Sequence, residues 1–333
     1  MKIIASFFIL GICLLIPLHG ALAGYEKDYV GDMVEYRAVY EDTFVHLARD
    51  NGLGYVEMRA ANPYIDPWVP GDGKKLILPK RHLLPIADKE GIVINLPEMR
   101  LYAFVNGDDA PETFPIGVGR EGLDTPLGKT KIIRKTKGPT WRPTKRMREE
   151  DPTLPESVPP GAENPLGTHA LYLGWPQYAV HGTNRPFGIG RRISSGCIRL
   201  YPKDIIKLFD IIPIGTPVQV VDQPVKVAWI KNKLYIEAHP DMEQSVQMEE
   251  MGRISSPKLS DKDMQIIIKV AGEYKERIRW PAVRTAIKER KGYPVAIARR
   301  PGYEVSSGEI VKIKDEVGYN SSYKKNPYRT LNP

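Results

Sequence analysis

Cys197 and His181 carry the side chains best suited to covalent chemistry in this sequence of 333 residues. Cysteine is the strongest protein nucleophile near neutrality, but a free thiol of pKa about 8.5 is only about 3% thiolate at pH 7. A neighbouring imidazole lifts that limit by taking the proton and leaving an ion pair. Taken alone, the two residues fit an inert arrangement better, with the cysteine packed as a small hydrophobe and the histidine bonded to a loop carbonyl. Two neighbours reverse that balance. Ser195-Gly196-Cys197 offers consecutive backbone N–H groups, and Gly196 permits unusual dihedrals, a common way of building an oxyanion hole. Arg199, just beyond the cysteine, can meet a carboxylate in the same cleft through paired hydrogen bonds.

The fold must bring these residues together. The alternating run Tyr178 to Val180 predicts a strand that ends on His181. Gly182 to Ser195 is a loop rich in Gly and Arg, and Pro202 and Asp204 open a helix with Ile205, Ile206, Leu208 and Phe209 on one face. Further short strands are predicted at Gly91–Leu96, Arg100–Val105, Glu112–Val118, Gly128–Ile133, Leu171–Gly174 and Val218–Val221. The unit from Glu90 to Val221 therefore reads as a mainly antiparallel sandwich or partial barrel with a single helix.

The segments HGTN and ISSGCIRL resemble the active-site signature of the L,D-transpeptidases of bacterial cell walls, the YkuD-type domain. The resemblance runs from about Gly91 to about Val225 and includes NLPEMRLY, FPIGVGREGLDTPLG and NPLGTHALYLGW. It implies that Cys197 attacks the carbonyl of the L-centre of diaminopimelate in a tetrapeptide stem, expels the terminal D-alanine and forms a thioester that an amine resolves. His181 would be the base, the carbonyl of Gly182 would orient its ring, and the N–H groups of Ser195, Gly196 and Cys197 would hold the oxyanion. Arg199 would steady the site or the substrate's carboxylate, with Trp141 and Thr183 as further candidates for substrate contact. One departure stands out: many members have histidine where this chain has Ser195. If that position serves through its N–H the serine is tolerated; if through its side chain, rate or donor preference changes.

Other stretches set the context. Met1 to Ala23 has Lys2, an apolar run and Ala21-Leu22-Ala23, the pattern of a cleaved secretory signal, which predicts export; the family resemblance implies the periplasm as the destination. Of two cysteines, Cys13 would leave with that segment, so Cys197 has no internal disulfide partner. Residues 34–80 predict strand, helix, helix, strand, with Asp42 as the first helix cap. This stretch resembles the LysM module, a βααβ fold that binds glycans containing N-acetylglucosamine. The charged, Pro-rich segment from Arg134 to Gly161 is expected to be a flap anchored by Trp141. His169 is expected to pack at the core edge and is the second candidate for the base.

The formal net charge is +8, but export and the absence of a nucleic-acid motif argue against nucleic-acid binding. No HExxH or CxxC spacing occurs, so neither a metal nor another cofactor is expected. Residues 224–333 predict paired strands over Val227–Ile236, helices over Met264–Arg277 and Trp280–Lys291, and a polar tail over Ser321–Pro333.

The fold class expected is therefore mainly β: a YkuD-like β-sandwich or partial barrel (90–223) with one helix after the nucleophile. A small βααβ LysM module (34–80) precedes it and an α+β extension follows. The expected partners are peptidoglycan glycan strands and stem peptides, and possible acceptors are a second stem peptide, the lysine of an outer-membrane lipoprotein or water. A wall-binding scaffold without turnover is the alternative of a different class.

Overall fold

The structure is a computed structural model and describes residues 25–301 except 106, 108 and 256. The expected signal segment and the tail at Ser321–Pro333 lie outside the described residues. No helix among the described residues is long and apolar enough to cross a membrane.

Short alternating strands build the central unit. Gly91–Asn95 and Arg100–Phe104 form the predicted hairpin. From one edge, the sheet runs through Arg192–Ser194, Glu112–Gly119, Ile198–Leu200, Ala179–His181, His169–Leu173, Gly128–Lys137, Pro217–Val221, Gly91–Asn95 and Arg100–Phe104. The last strand pairs back onto Glu112–Gly119, so the sheet closes on itself as a barrel rather than a sandwich. Closure pairs the Arg100–Phe104 edge, which would otherwise invite pairing with other chains, and leaves the short strand Arg192–Ser194 at the other end of the order.

Three of the pairings are parallel, more than the mainly antiparallel reading anticipated: Ala179–His181 with Ile198–Leu200, Arg192–Ser194 with Glu112–Gly119, and Pro217–Val221 with Gly91–Asn95. Parallel pairing needs a long crossover. The loop after His181 supplies one, and that loop contains a strand not expected from the sequence, Arg192–Ser194.

Alternation sends Ile92, Ile94, Leu101, Ile116, Leu171, Val180, Ile198 and Leu200 into one core. Helix Pro202–Ile211 covers part of it through Ile205 and Leu208, while Ile206, expected on the same face, is 42% exposed. A second helix, Lys145–Glu150, interrupts the Pro-rich segment, capped by Thr144, whose hydroxyl accepts from the Met147 N–H at 3.3 Å.

Residues 34–78 form the strand, helix, helix, strand order read from the sequence. Val34–Arg37 pairs antiparallel with Lys75–Leu78, and helices Phe44–Asn51 and Tyr55–Ala61 lie between them in sequence. Thr43, not Asp42, caps the first helix by accepting from the His46 N–H at 3.2 Å. The Asp42 carboxylate instead accepts from the Val39 N–H at 2.8 Å and the Tyr36 hydroxyl at 2.9 Å.

Beyond the barrel, Val225–Ile230, Lys233–Ala238 and Val295–Arg299 make an antiparallel sheet, packed by helices Asp261–Ala271 and Trp280–Glu289. The strand Val295–Arg299 and a helix at Met242–Met251 were not legible in the sequence. That helix leaves its own sheet, and its Met248 is buried in the core of the βααβ unit. The three units are joined further by buried charge: Glu57 pairs with Arg100 at 2.7 Å, and Lys226 reaches Glu98 and Glu237, each at 2.8 Å.

Candidate active site

The strand register decides which side chains share a face. His181 stands opposite Arg199 in the parallel pair, and Val180 opposite Ile198. Val180, Ile198 and Leu200 point into the core, so His181 and Arg199 point away from it. Cys197 lies in the turn just before that strand, and the Arg199 charge acts on both its thiol and the His181 ring. His169 has the opposite parity, being in step with Leu171 and Leu173, and its ring packs edge-on against Phe209 at 4.6 Å between centroids. The second candidate for the base is thus on the other face of the sheet, against helix Pro202–Ile211.

The His181 ring is buried, with Nδ1 2.6 Å from the Gly182 carbonyl oxygen. A carbonyl only accepts, so Nδ1 carries the proton and Nε2 of the neutral ring carries the lone pair. Burial, assisted by the Arg199 charge, pushes the His181 pKa down to about 4. The half-buried Cys197 donates its S–H to the Gln177 carbonyl at 3.4 Å. Burial pushes its thiol up, opposed by a hydrogen bond from the Ala179 backbone and by Arg199. The resting pair is therefore a thiol and a neutral imidazole, not the ion pair expected from the residue types. Desolvation decides this because a charged group in this cleft would have to give up its water.

The turn carrying the cysteine is tightly made. The Ser194 hydroxyl accepts from the Gly196 N–H at 3.1 Å and donates to the Cys197 carbonyl at 2.5 Å. The Gly196 N–H, expected to help hold an oxyanion, is engaged by that hydroxyl. The Thr125 hydroxyl donates to the Gly196 carbonyl at 2.8 Å, and the Ser194 carbonyl accepts from the Arg120 N–H at 2.9 Å. Gly196 has φ +104°, and a Cβ there would lie 2.9 Å from the Tyr178 ring, so both conformation and space demand glycine. Neither Ser194 nor Thr125 was singled out in the sequence, although both lie in the stretches ISSGC and GLDTPLG. Hydroxyls bonding to backbone are too common to mark a site by themselves.

The remaining candidates are placed as follows. Ser195 is half-buried in the turn. Arg199 is half-buried, its Nε has no hydrogen-bond partner, and among the described residues it forms no salt bridge. Thr183 is buried and its hydroxyl accepts from the Arg185 N–H at 2.9 Å, which makes it part of the loop's own turn. Trp141 exchanges two backbone hydrogen bonds of 2.9 Å with Val158 across the Pro-rich segment. The helix in that segment reaches back through Glu150 to Arg120 at 3.1 Å, beside the cysteine turn.

His82, Glu98 and Glu237 are close enough to hold a metal ion, with ligand atoms within 4.8 Å of one another. Lys226 Nζ, 2.8 Å from both carboxylates, already supplies the positive charge there.

Residues 89–220 match the YkuD family model, the L,D-transpeptidase catalytic domain. The chain is 39% identical to "Probable L,D-transpeptidase ErfK/SrfK" of Salmonella typhimurium, over 75% of this chain and 81% of that protein. It is 40% identical to "Probable L,D-transpeptidase YbiS" of Escherichia coli, over 76% and 82%. Among solved structures, an L,D-transpeptidase from Mycobacterium smegmatis superposes in part, with a TM-score of 0.33 at 20% identity over 45% of this chain and 63% of that one.

Proposed function

This chain belongs to the L,D-transpeptidase family of peptidoglycan enzymes, and on that footing we propose how its residues divide the work. Cys197 Sγ attacks the carbonyl carbon at the L-centre of diaminopimelate in a tetrapeptide stem. As the C–S bond forms, His181 Nε2 takes the thiol proton. Because the resting thiol is neutral, proton transfer accompanies attack rather than preceding it.

The N–H groups of Ser195 and Cys197 receive the oxyanion, and the Arg199 charge stabilises it or a substrate carboxylate. The bond to the terminal D-alanine then breaks, its nitrogen takes the proton from the imidazolium, and a thioester is left. An acceptor amine attacks the thioester, giving its proton to His181 and restoring the thiol. The observation that supports this reading is the register that sets His181 beside Arg199, just after the Cys197 turn, with Nδ1 held at 2.6 Å by the Gly182 carbonyl.

The mature enzyme acts in the periplasm, residues 34–80 grip the glycan as a LysM module, and the Trp141 segment covers the bound stem. The acceptor is the amine of a second stem, giving 3→3 cross-links, or the terminal lysine of an outer-membrane lipoprotein; water in that place makes the same site a carboxypeptidase.

The test is intact mass after incubation with disaccharide-tetrapeptide, for the wild type and Cys197→Ala. Release of D-alanine with a covalent adduct that depends on Cys197 supports these roles, and the products identify the acceptor. Folded protein that forms no adduct, with stem or with a carbapenem, would leave a wall-binding scaffold.

A further inference from the structure

The loop from His181 to Cys197 is gripped from outside the barrel. Helix Tyr55–Ala61 of the βααβ unit begins against it: the Tyr55 N–H donates to the Ile189 carbonyl at 3.4 Å and the Val56 N–H to the Gly190 carbonyl at 3.2 Å. The first N–H groups of a helix have no partner within it, so the loop completes the helix as the helix fixes the loop. Gly54 and Gly190 meet backbone to backbone. A Cβ on Gly54 would lie 2.8 Å from the Gly190 Cα, and one on Gly190 would lie 2.3 Å from the Gly54 Cα.

The same short stretch is also tied to the barrel. The Gly190 N–H donates to the Ile116 carbonyl at 3.1 Å, and the Arg191 carbonyl accepts from the Val118 N–H at 3.2 Å. The Arg191 guanidinium lies 3.8 Å over the Tyr55 ring and pairs with Glu249 at 2.5 Å. Residues 189–191 are thus clamped between two units immediately before strand Arg192–Ser194. That strand leads straight into the Ser195–Cys197 turn.

We propose that the βααβ unit is a positioning element of the acyl-transfer site: by holding residues 189–191 it sets the height at which the cysteine turn meets His181. Gly54 and Arg191 are positioning residues in this scheme, since neither reaches the reacting atoms. The proposal rests on the reading of Cys197 as nucleophile. It differs from a tether in one consequence. A tether raises the local concentration of wall material and does nothing for a free peptide donor, whereas a positioning unit governs the rate on a donor that contains no sugar.

The decisive variant is Gly54→Ala in the full chain. Its φ of −91° suits alanine, so the new methyl acts by pushing against Gly190 and not by straining its own backbone. The readouts are kcat and KM for D-alanine release from a sugar-free tetrapeptide, and deuterium uptake by the amides of residues 183–191. We expect kcat to fall about tenfold, in line with small misplacements of reacting groups, with KM little changed and uptake raised in that loop alone. Ile86→Ala, an exposed change outside both the βααβ unit and the barrel, should leave both readouts at wild-type values.

Raised uptake with an unchanged kcat would overturn the proposal, as would no change in either readout. If Gly54→Ala fails to fold, Arg191→Gln applies the same test from the loop side, and unaltered kcat there overturns the proposal equally. Wild-type protein that never acylates Cys197 would remove the enzyme reading itself. Wild-type acylation with an unaffected Gly54→Ala removes only the positioning role.

Discussion

The junction of the three units and the cleft around Cys197 both bury ionisable groups, and they treat them in opposite ways. At the junction Glu57, Glu98 and Glu237 are answered by Arg100, Lys226 and the His239 imidazole, the last 2.7 Å from Glu237. The Tyr102 hydroxyl donates to Glu98, and the Leu83 N–H to Glu237 at 2.5 Å. Lys226, foremost among the groups favouring ionisation, helps hold the Glu98 and Glu237 carboxyls below their usual range against the cost of burial. In the cleft the balance falls the other way: burial wins, His181 and Cys197 rest neutral, and Arg199 forms no salt bridge among the described residues. Paired charge fixes a geometry but is slow to change. A neutral pair beside an unanswered cation is ready to accept negative charge when a substrate brings it.

Breaking the junction should have the largest effect on folding. Lys226→Met leaves two carboxylates facing each other in a buried site, and removal of one partner from such a network costs about 3–5 kcal/mol. Denaturant unfolding should show that loss, and a much smaller one would mean that water reaches the cluster.

Acid should next reveal the cleft. The folded pKa of His181, about 4, lies below its ordinary 6.5, so the unfolded chain binds the proton first. The contribution is complete above about pH 6.5, declines as the pH falls toward 4, and amounts to about 3 kcal/mol at 1.36 kcal/mol per pH unit. Stability measured in His181→Gln should lack this component of the pH dependence. The depressed Glu98 and Glu237 add a loss at still lower pH, as protonation reaches their folded values.

Arg199→Met separates the two regions most sharply. Arg199 has no salt-bridge partner among the described residues that its removal would strand, so the change should not cost folding stability. It should nevertheless lower kcat/KM on the tetrapeptide and raise the His181 pKa above about 4, observed by NMR titration, because Arg199 is a cause of its depression. An unmoved His181 would show that burial alone sets it. The smallest effect belongs to His169→Gln, on the core side of the sheet, which should leave the rate of acylation unchanged.

Much of the barrel was legible because its strands alternate plainly: the hairpin Gly91–Asn95 with Arg100–Phe104, and the helix opened by Pro202, are set by local pattern and turn chemistry. Arg192–Ser194 was read as loop because three residues carry no periodicity. Its identity as a strand comes from pairing with Glu112–Gly119. Helix Met242–Met251 escaped for a related reason: its buried residues Gln244, Ser245 and Met248 form no apolar stripe, and it is held by the core of another unit.

The candidate site divides along the same line. Residue type and local order marked Cys197, His181, Gly196 and Arg199, since a nucleophile, a base, a glycine turn and a cation are chemical identities that survive without coordinates; Gly182 came only from the family resemblance. Tertiary structure decided that His181 and not His169 shares a face with Arg199, that Ser194 engages the Gly196 N–H, and that His181 and Cys197 rest neutral. Each of these depends on strand register or on how much water the fold excludes, and both are properties of contacts between residues far apart in the chain.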